Sequence, residues 1–199
     1  VVALMSNART PSQIWLYDIA RPSRSIKVAD MAHTGFNADD YALPEQITMT
    51  TSDGLTLPAM IVYPKGFDAS KKYPVHVDIY GGPDTPMVID QFRTPAYYSW
   101  YAENGIIEVF ADCRASGHNG REGLDQIYRR LDEREVLDFV EWADYLKTLP
   151  YVNADKIGVE GFSFGGTMTA LLVMNHPDAF HYGIAGGGVY DWALYDTHY

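Results

Sequence analysis

Gly161-Phe162-Ser163-Phe164-Gly165 places a single hydroxyl between two glycines, in a G-x-S-x-G pattern. A serine so placed can be the nucleophile of acyl transfer, provided that the chain turns sharply there from a strand into a helix. The flanks meet that condition. KIGVE reads as a strand immediately before the pentapeptide, and GGTMTALLVMNH reads as a helix immediately after it. Strand and helix come close together around such a turn, so positions 161, 165 and 166 must lack side chains while the Ser163 hydroxyl projects beyond the sheet edge. The plainer reading is an ordinary strand-to-helix turn carrying an incidental serine.

A serine hydroxyl needs a base to activate it and donors for the oxyanion it creates. One donor is the backbone N–H of Phe164, the residue after the serine. A second is expected from the loop after an earlier strand, where Ile79-Tyr80-Gly81-Gly82-Pro83 stands. Tyr80 is the candidate, its hydroxyl sitting where ligands gather beyond strand ends, but a packing aromatic explains it equally well. Val189, Trp192, Tyr195 and Tyr199 recur at steps of three, three and four, which predicts a helix with these four on one face. That face is either core or the wall of an apolar substrate pocket.

The base and its orienting acid are harder to find. After an elbow of this kind the order is serine, acid, histidine, from separate later strands. The residues after Ser163 offer His176, His181 and His198 with Asp178, Asp191 and Asp196. No acid separates Ser163 from His176, and Asp178 is too near His181 to rise from a different strand. The base and its orienting acid are therefore expected to be missing from this chain, which is expected to be a segment of something longer. No histidine pair has zinc-site spacing, and no phosphate-binding loop follows a strand, so neither a metal nor a cofactor is expected.

A formal charge of −11 argues against nucleic acid and anionic membrane surfaces, which would repel the chain. No apolar run approaches the ~18 residues of a membrane-crossing helix. The single cysteine, Cys113, excludes an internal disulfide and leaves the compartment open. The opening VVALMSNART shows no targeting signal.

The elements that must position these residues follow from pattern. Val1 to Met5 and Ile14 to Ile19 flank a turn-rich stretch and read as a hairpin. Residues 21–43 lose periodicity and read as a linker, so a boundary is placed between residues 1–43 and 44–199. Ile47 to Thr51 and Leu55 to Tyr63 flank Ser52-Asp53-Gly54, a second hairpin. Val75 to Tyr80, Ile106 to Ala111, Ile157 to Glu160 and Tyr182 to Ala185 read as parallel strands joined by crossovers. Glu133 to Leu149 reads as an amphipathic helix stopped by Pro150. The class is α/β, a doubly wound and mostly parallel sheet preceded by antiparallel strands.

Five blocks in order, YPVHVDIYGGP, ADCRASGHNG, IYRRL, LPYVNADKIGVEGFSFGG and YDWALYDTHY, resemble the prolyl oligopeptidase family of serine peptidases. The resemblance is to the dipeptidyl peptidase IV branch, in which a β-propeller caps an α/β-hydrolase domain, and it runs from about Pro44 to Tyr199. It implies that Ser163 is the nucleophile and that the Phe164 amide and Tyr80 hydroxyl form the oxyanion hole. It further implies that Phe164, Val189, Trp192, Tyr195 and Tyr199 line an apolar site accepting proline or a small residue of a peptide substrate. Residues 1–19 would be the end of the propeller, the hydrolase domain would be incomplete at its C-terminus, and homodimerisation is left open. The family's usual elbow is Gly-Trp-Ser-Tyr-Gly-Gly, so Phe162 and Phe164 depart from it, as do Cys113 and Ala115 in their block. Two other readings compete: an esterase or acylaminoacyl hydrolase on the same fold, and a non-catalytic homologue used for protein interaction.

Overall fold

The computed structural model describes residues 1–196. Two sheets divide the chain. The first has three antiparallel strands in sequential order, β1 (Val2–Asn7), β2 (Thr10–Leu16) and β3 (Ile26–Asp30). β3 lies inside the expected linker. Its residues are exposed apart from a half-buried Ala29, so it offers no alternation to read. The Ala8 N–H donates to Asp90 Oδ1 at 2.8 Å and Arg9 pairs with Asp39, which ties the first hairpin to later parts of the chain.

The second sheet has the strand order β4-β5-β7-β6-β8-β9, formed by Glu45–Thr50, Thr56–Val62, Ile107–Ala111, Tyr73–Ile79, Val152–Phe162 and Tyr182–Gly186 respectively. β4, β5 and β7 pair antiparallel, while β7, β6, β8 and β9 run parallel. The turn at Gly54 joins β4 to β5 as the Asp53-Gly54 signal requires. The helices are α1 (Ala96–Glu103), α2 (Gly120–Asp125), α3 (Arg134–Thr148) and α4 (Phe164–Asn175).

Alternation along the central strands sorts the core. Val75, Val77 and Ile79 of β6, Ile107 and Val109 of β7, and Ile157 and Val159 of β8 point to one face. There they pack with Phe139, Trp142 and Leu146 of α3 and with Met168 and Leu172 of α4. The opposite face carries Met60, Val62 and Phe110 against Tyr98 of α1. Near-continuous apolar strands buried on both faces are what a parallel sheet requires. The polar exceptions on the α1 face are His76, Asp78, Glu108 and Glu160. Tyr101 of α1 hydrogen bonds to His76 Nε2 at 3.0 Å and donates to Glu160 Oε2 at 3.3 Å.

A buried arginine fastens the turn after β7. Arg114 is bidentate to Asp138 of α3, reaches Asp53 at 2.8 Å and also bonds Gln126. Asp112 accepts the N–H groups of Met87 and Val88 at 2.8 and 2.9 Å and faces His118 Nε2 at 2.9 Å. The loop after β6 is therefore pinned from β7.

The expected helix at the end of the chain is not observed. One turn of 3₁₀ helix, Trp192–Leu194, is capped by the Asp191 side chain accepting from the Ala193 N–H, and Tyr195 is extended. A single turn cannot align residues spaced over three turns. Tertiary contacts instead place Trp192 and Tyr195. Tyr199 and His198 lie outside the described residues.

Candidate functional site

The strand order sets β6, β8 and β9 side by side with their carboxyl ends at the same edge. Ligands of open α/β sheets bind in the crevice outside that edge. Ser163 follows the last residue of β8 and caps α4, with φ 58° and ψ −122°. Such a conformation is sparsely populated by residues other than glycine and costs on the order of 1–3 kcal/mol. The surroundings over-determine it. The Ser163 N–H donates to Gly186 O at 2.8 Å, and its own carbonyl accepts from Gly166 at 2.9 Å and Thr167 at 3.2 Å.

Both flanking glycines are required by close approach. A Cβ on Gly161 would collide with the Gly165 carbonyl, and one on Gly165 would stand 2.5 Å from Ile79 O at the end of β6. Strand, turn and helix thus interlock at the backbone level, as the G-x-S-x-G spacing led one to expect.

Around the serine runs a chain of rings. Tyr80, directly after β6, lies 6.2 Å centroid to centroid from Phe164, which lies 6.0 Å from Trp192, itself 5.8 Å from Tyr195. Phe164 is only 1 % exposed, whereas Phe162 is 73 % exposed. Val189 is anchored by Thr167 of α4, whose hydroxyl accepts its N–H at 2.8 Å and donates to its carbonyl at 3.0 Å. The sequence-predicted residues Tyr80, Phe164, Val189, Trp192 and Tyr195 are therefore gathered at one end of the sheet.

Two residues that sequence reasoning passed over belong to the same neighbourhood. Asp132 accepts the Trp192 indole N–H at 2.8 Å, and Thr167 holds Val189. Their partners are distant in sequence and carry no local spacing signal. Burial pushes the Asp132 carboxyl above the usual range, opposed by the Trp192 N–H.

The described histidines are engaged or placed elsewhere, His33 lying edge-on to Phe36 in the segment before β4. His76 meets Tyr101 and Glu160, and His118 meets Asp112. His176 caps the far end of the 12-residue α4, roughly 18 Å along the helix from Ser163 at 1.5 Å per residue. The His181 N–H donates to Ile157 O in the middle of β8, and His181 directly precedes the amino end of β9, whereas the elbow lies at the carboxyl ends of these strands. Among the described residues no group of three or more His, Cys, Asp or Glu is arranged to hold a metal ion. No described helix is long and apolar enough to cross a membrane.

The model of the prolyl oligopeptidase family of peptidases matches residues 91–199, which include the elbow and the ring-bearing segment. The chain belongs to this family of serine peptidases. Dipeptidyl peptidase 8 of Homo sapiens is 30% identical over 207 residues, covering 100% of this chain and 23% of the relative. The crystal structure of Porphyromonas gingivalis dipeptidyl peptidase 4 superimposes with a TM-score of 0.85 at 28% identity, covering 100% of this chain and 28% of that one. A provisionally assigned dipeptidyl aminopeptidase IV from Bacteroides ovatus gives a TM-score of 0.86 at 34% identity, over 98% of this chain and 28% of that one. Family membership gives the larger sheet its class, the α/β-hydrolase fold. The chain spans about a quarter of the length of the relatives it matches.

Proposed function

We propose that this chain is the nucleophile-bearing part of a serine peptidase of dipeptidyl peptidase type, which hydrolyses peptides after proline or a small residue. The observation that carries the reading is the strained backbone of Ser163, held at φ 58° between glycines that cannot bear a Cβ, at the carboxyl edge of a parallel sheet. A protein that used the fold only for interaction would have no need to maintain that strain.

In this reading Ser163 Oγ attacks the scissile carbonyl carbon and passes its proton to a general base. The developing oxyanion accepts hydrogen bonds from the Phe164 N–H, at the head of α4, and from the Tyr80 hydroxyl. The C–N bond then breaks, the leaving amine takes the proton from the base, and an ester remains on Ser163. Water cleaves that ester by the reverse sequence. The base and its orienting acid come from outside residues 1–196, since the described histidines are engaged or remote. The rings of Phe164, Trp192 and Tyr195, with Val189, form the apolar recess for the residue before the scissile bond. The three-stranded sheet is the end of a β-propeller, and residues 44–199 are the first part of the hydrolase domain.

The test is turnover of Xaa-Pro and Xaa-Ala chromogenic dipeptides by the protein purified in full. Cleavage lost in Ser163→Ala supports the reading. Hydrolysis of small acyl esters with Xaa-Pro left intact would instead make it an acylaminoacyl hydrolase or esterase.

A further inference from the structure

Trp192 and Val189 sit on the segment that follows β9, which is poorly buried. Tyr190 is exposed and Leu194 is 87 % exposed. Val189 and Trp192 are themselves half-buried, and Trp192 packs against the core beside Phe164. Two side-chain tethers add direction to that packing. Thr167 holds the backbone of Val189, and Asp132 holds the indole of Trp192.

Asp132 is an unusual residue to find in that role by chance. It adopts φ 72°, a left-handed conformation that disfavours most side chains but that Asp and Asn tolerate better than most. It lies just before α3, on the turn that follows Arg129, itself at φ 60°. Its Oδ2 takes the Trp192 N–H, while its Oδ1 is buried without a hydrogen-bond partner among the described residues. Asp132 as a whole is half-buried, and an unpaired inaccessible oxygen is costly, so the contact its carboxylate does make is one the structure retains at a cost. The tether spans 60 positions of sequence and fixes the ring that lies 6.0 Å from Phe164.

We infer that Asp132 is a specificity-determining positioning residue, which fixes the Trp192 indole as the wall of the recess beside Ser163 and so sets the size of the residue accepted before the scissile bond. This rests on the reading of the recess given above. The carboxylate touches no substrate. It acts by denying the indole its other rotamers, so that a small or cyclic side chain fills the space and a different one does not.

Three variants of the full protein separate the possibilities. Asp132→Gly removes the carboxylate and suits φ 72°, so the backbone is not put under new strain. Asp132→Asn keeps an acceptor and tolerates the same φ. Trp192→Phe removes the donor. The expected result is that Asp132→Gly and Trp192→Phe each lower the ratio of kcat/KM for Xaa-Pro over Xaa-Ala substrates by about fivefold to fiftyfold, chiefly through KM. Asp132→Asn stays near the native ratio, and the Gly/Phe double variant is no worse than either single one. Fluorophosphonate labelling of Ser163 is unchanged in Asp132→Gly and Asp132→Asn. A native ratio in Asp132→Gly beside an altered one in Trp192→Phe overturns the inference, as do effects that multiply independently. Hydrogen exchange of the Trp192 indole N–H, followed in 15N-labelled protein, reads the tether without any turnover. It should be slow in the native protein and in Asp132→Asn, and fast in Asp132→Gly. Fast exchange in the native protein overturns the inference outright. Slow exchange in a protein whose Ser163 cannot be labelled at all would mark failure of the peptidase reading, and would reduce the Asp132–Trp192 pair to a structural contact.

Discussion

The backbone N–H of Ser163 donates to the carbonyl of Gly186 at 2.8 Å, so the strained turn after β8 is latched to the end of β9. The latch lets a residue with a side chain hold a conformation suited to glycine. Ser163→Gly should relieve the strain and raise stability by about 1 kcal/mol, net of glycine's larger entropy loss on folding, while abolishing acyl transfer. Ser163→Ala should abolish it equally with stability little changed. Thermal denaturation of the two variants side by side checks the difference in sign.

Gly165→Ala should be far more damaging than its size suggests. The new Cβ would stand 2.5 Å from Ile79 O and 3.2 Å from Tyr80 Cα, both backbone atoms with little room to move. Displacing the end of β6 should cost about 2–4 kcal/mol and should also shift Tyr80 away from Ser163. Denaturant midpoints measure the first effect and the fluorophosphonate labelling rate of any folded fraction measures the second.

Arg114 binds Asp138 inside the protein and Asp53 nearer the surface. Arg114→Met leaves the fully buried Asp138 without its cation and should destabilise by about 3–5 kcal/mol. Arg114→Met with Asp138→Leu should recover much of that, because no charge is then stranded. The Arg114 hydrogen bond holds the Asp53 carboxyl down to about 2. Asp53 therefore contributes stability above its unfolded pKa near 4, and that contribution fades as pH falls toward 2. Asp53→Asn should flatten the acid limb of a plot of stability against pH.

The opposite sign applies to Glu108. Burial first, then the charges of Asp78 and Glu160, push its carboxyl up to about 8. The folded protein then holds a proton that the unfolded chain releases near pH 4, so stability falls as pH rises from about 4 to about 8, by at most about 1.4 kcal/mol per pH unit for this one group. Glu108→Gln should lower that slope and raise the midpoint of thermal unfolding at pH 8. Asp78, pushed up to about 7 chiefly by burial, adds to the same slope.

Much of this architecture was legible in the sequence, and the remainder was hidden for identifiable reasons. β6, β7 and β8 could be read because buried parallel strands are continuous apolar runs, and α3 because one of its faces is apolar at helical spacing. The elbow could be read because backbone contact forbids a Cβ at 161 and 165, and only glycine satisfies that. β3 escaped notice because its residues are mostly exposed and show no alternation. α1, AYYSWYAE, is aromatic nearly all round and shows no single stripe. The spacing of Val189, Trp192 and Tyr195 marked residues that the structure sets against Thr167 and Phe164, but it misled about the means. They are held by Thr167, Phe164 and Asp132 across long stretches of sequence, and a periodicity cannot display such partners.

If Ser163 is an activated nucleophile, it should react with an active-site label. The protein in full would be treated with a fluorophosphonate and the modified peptide mapped, with Ser163→Ala alongside. One label per chain is expected, on the peptide containing Gly161-Phe162-Ser163-Phe164-Gly165, and none in the variant. A folded protein that takes no label, or takes it at another serine with Ser163→Ala labelled as well, would contradict it.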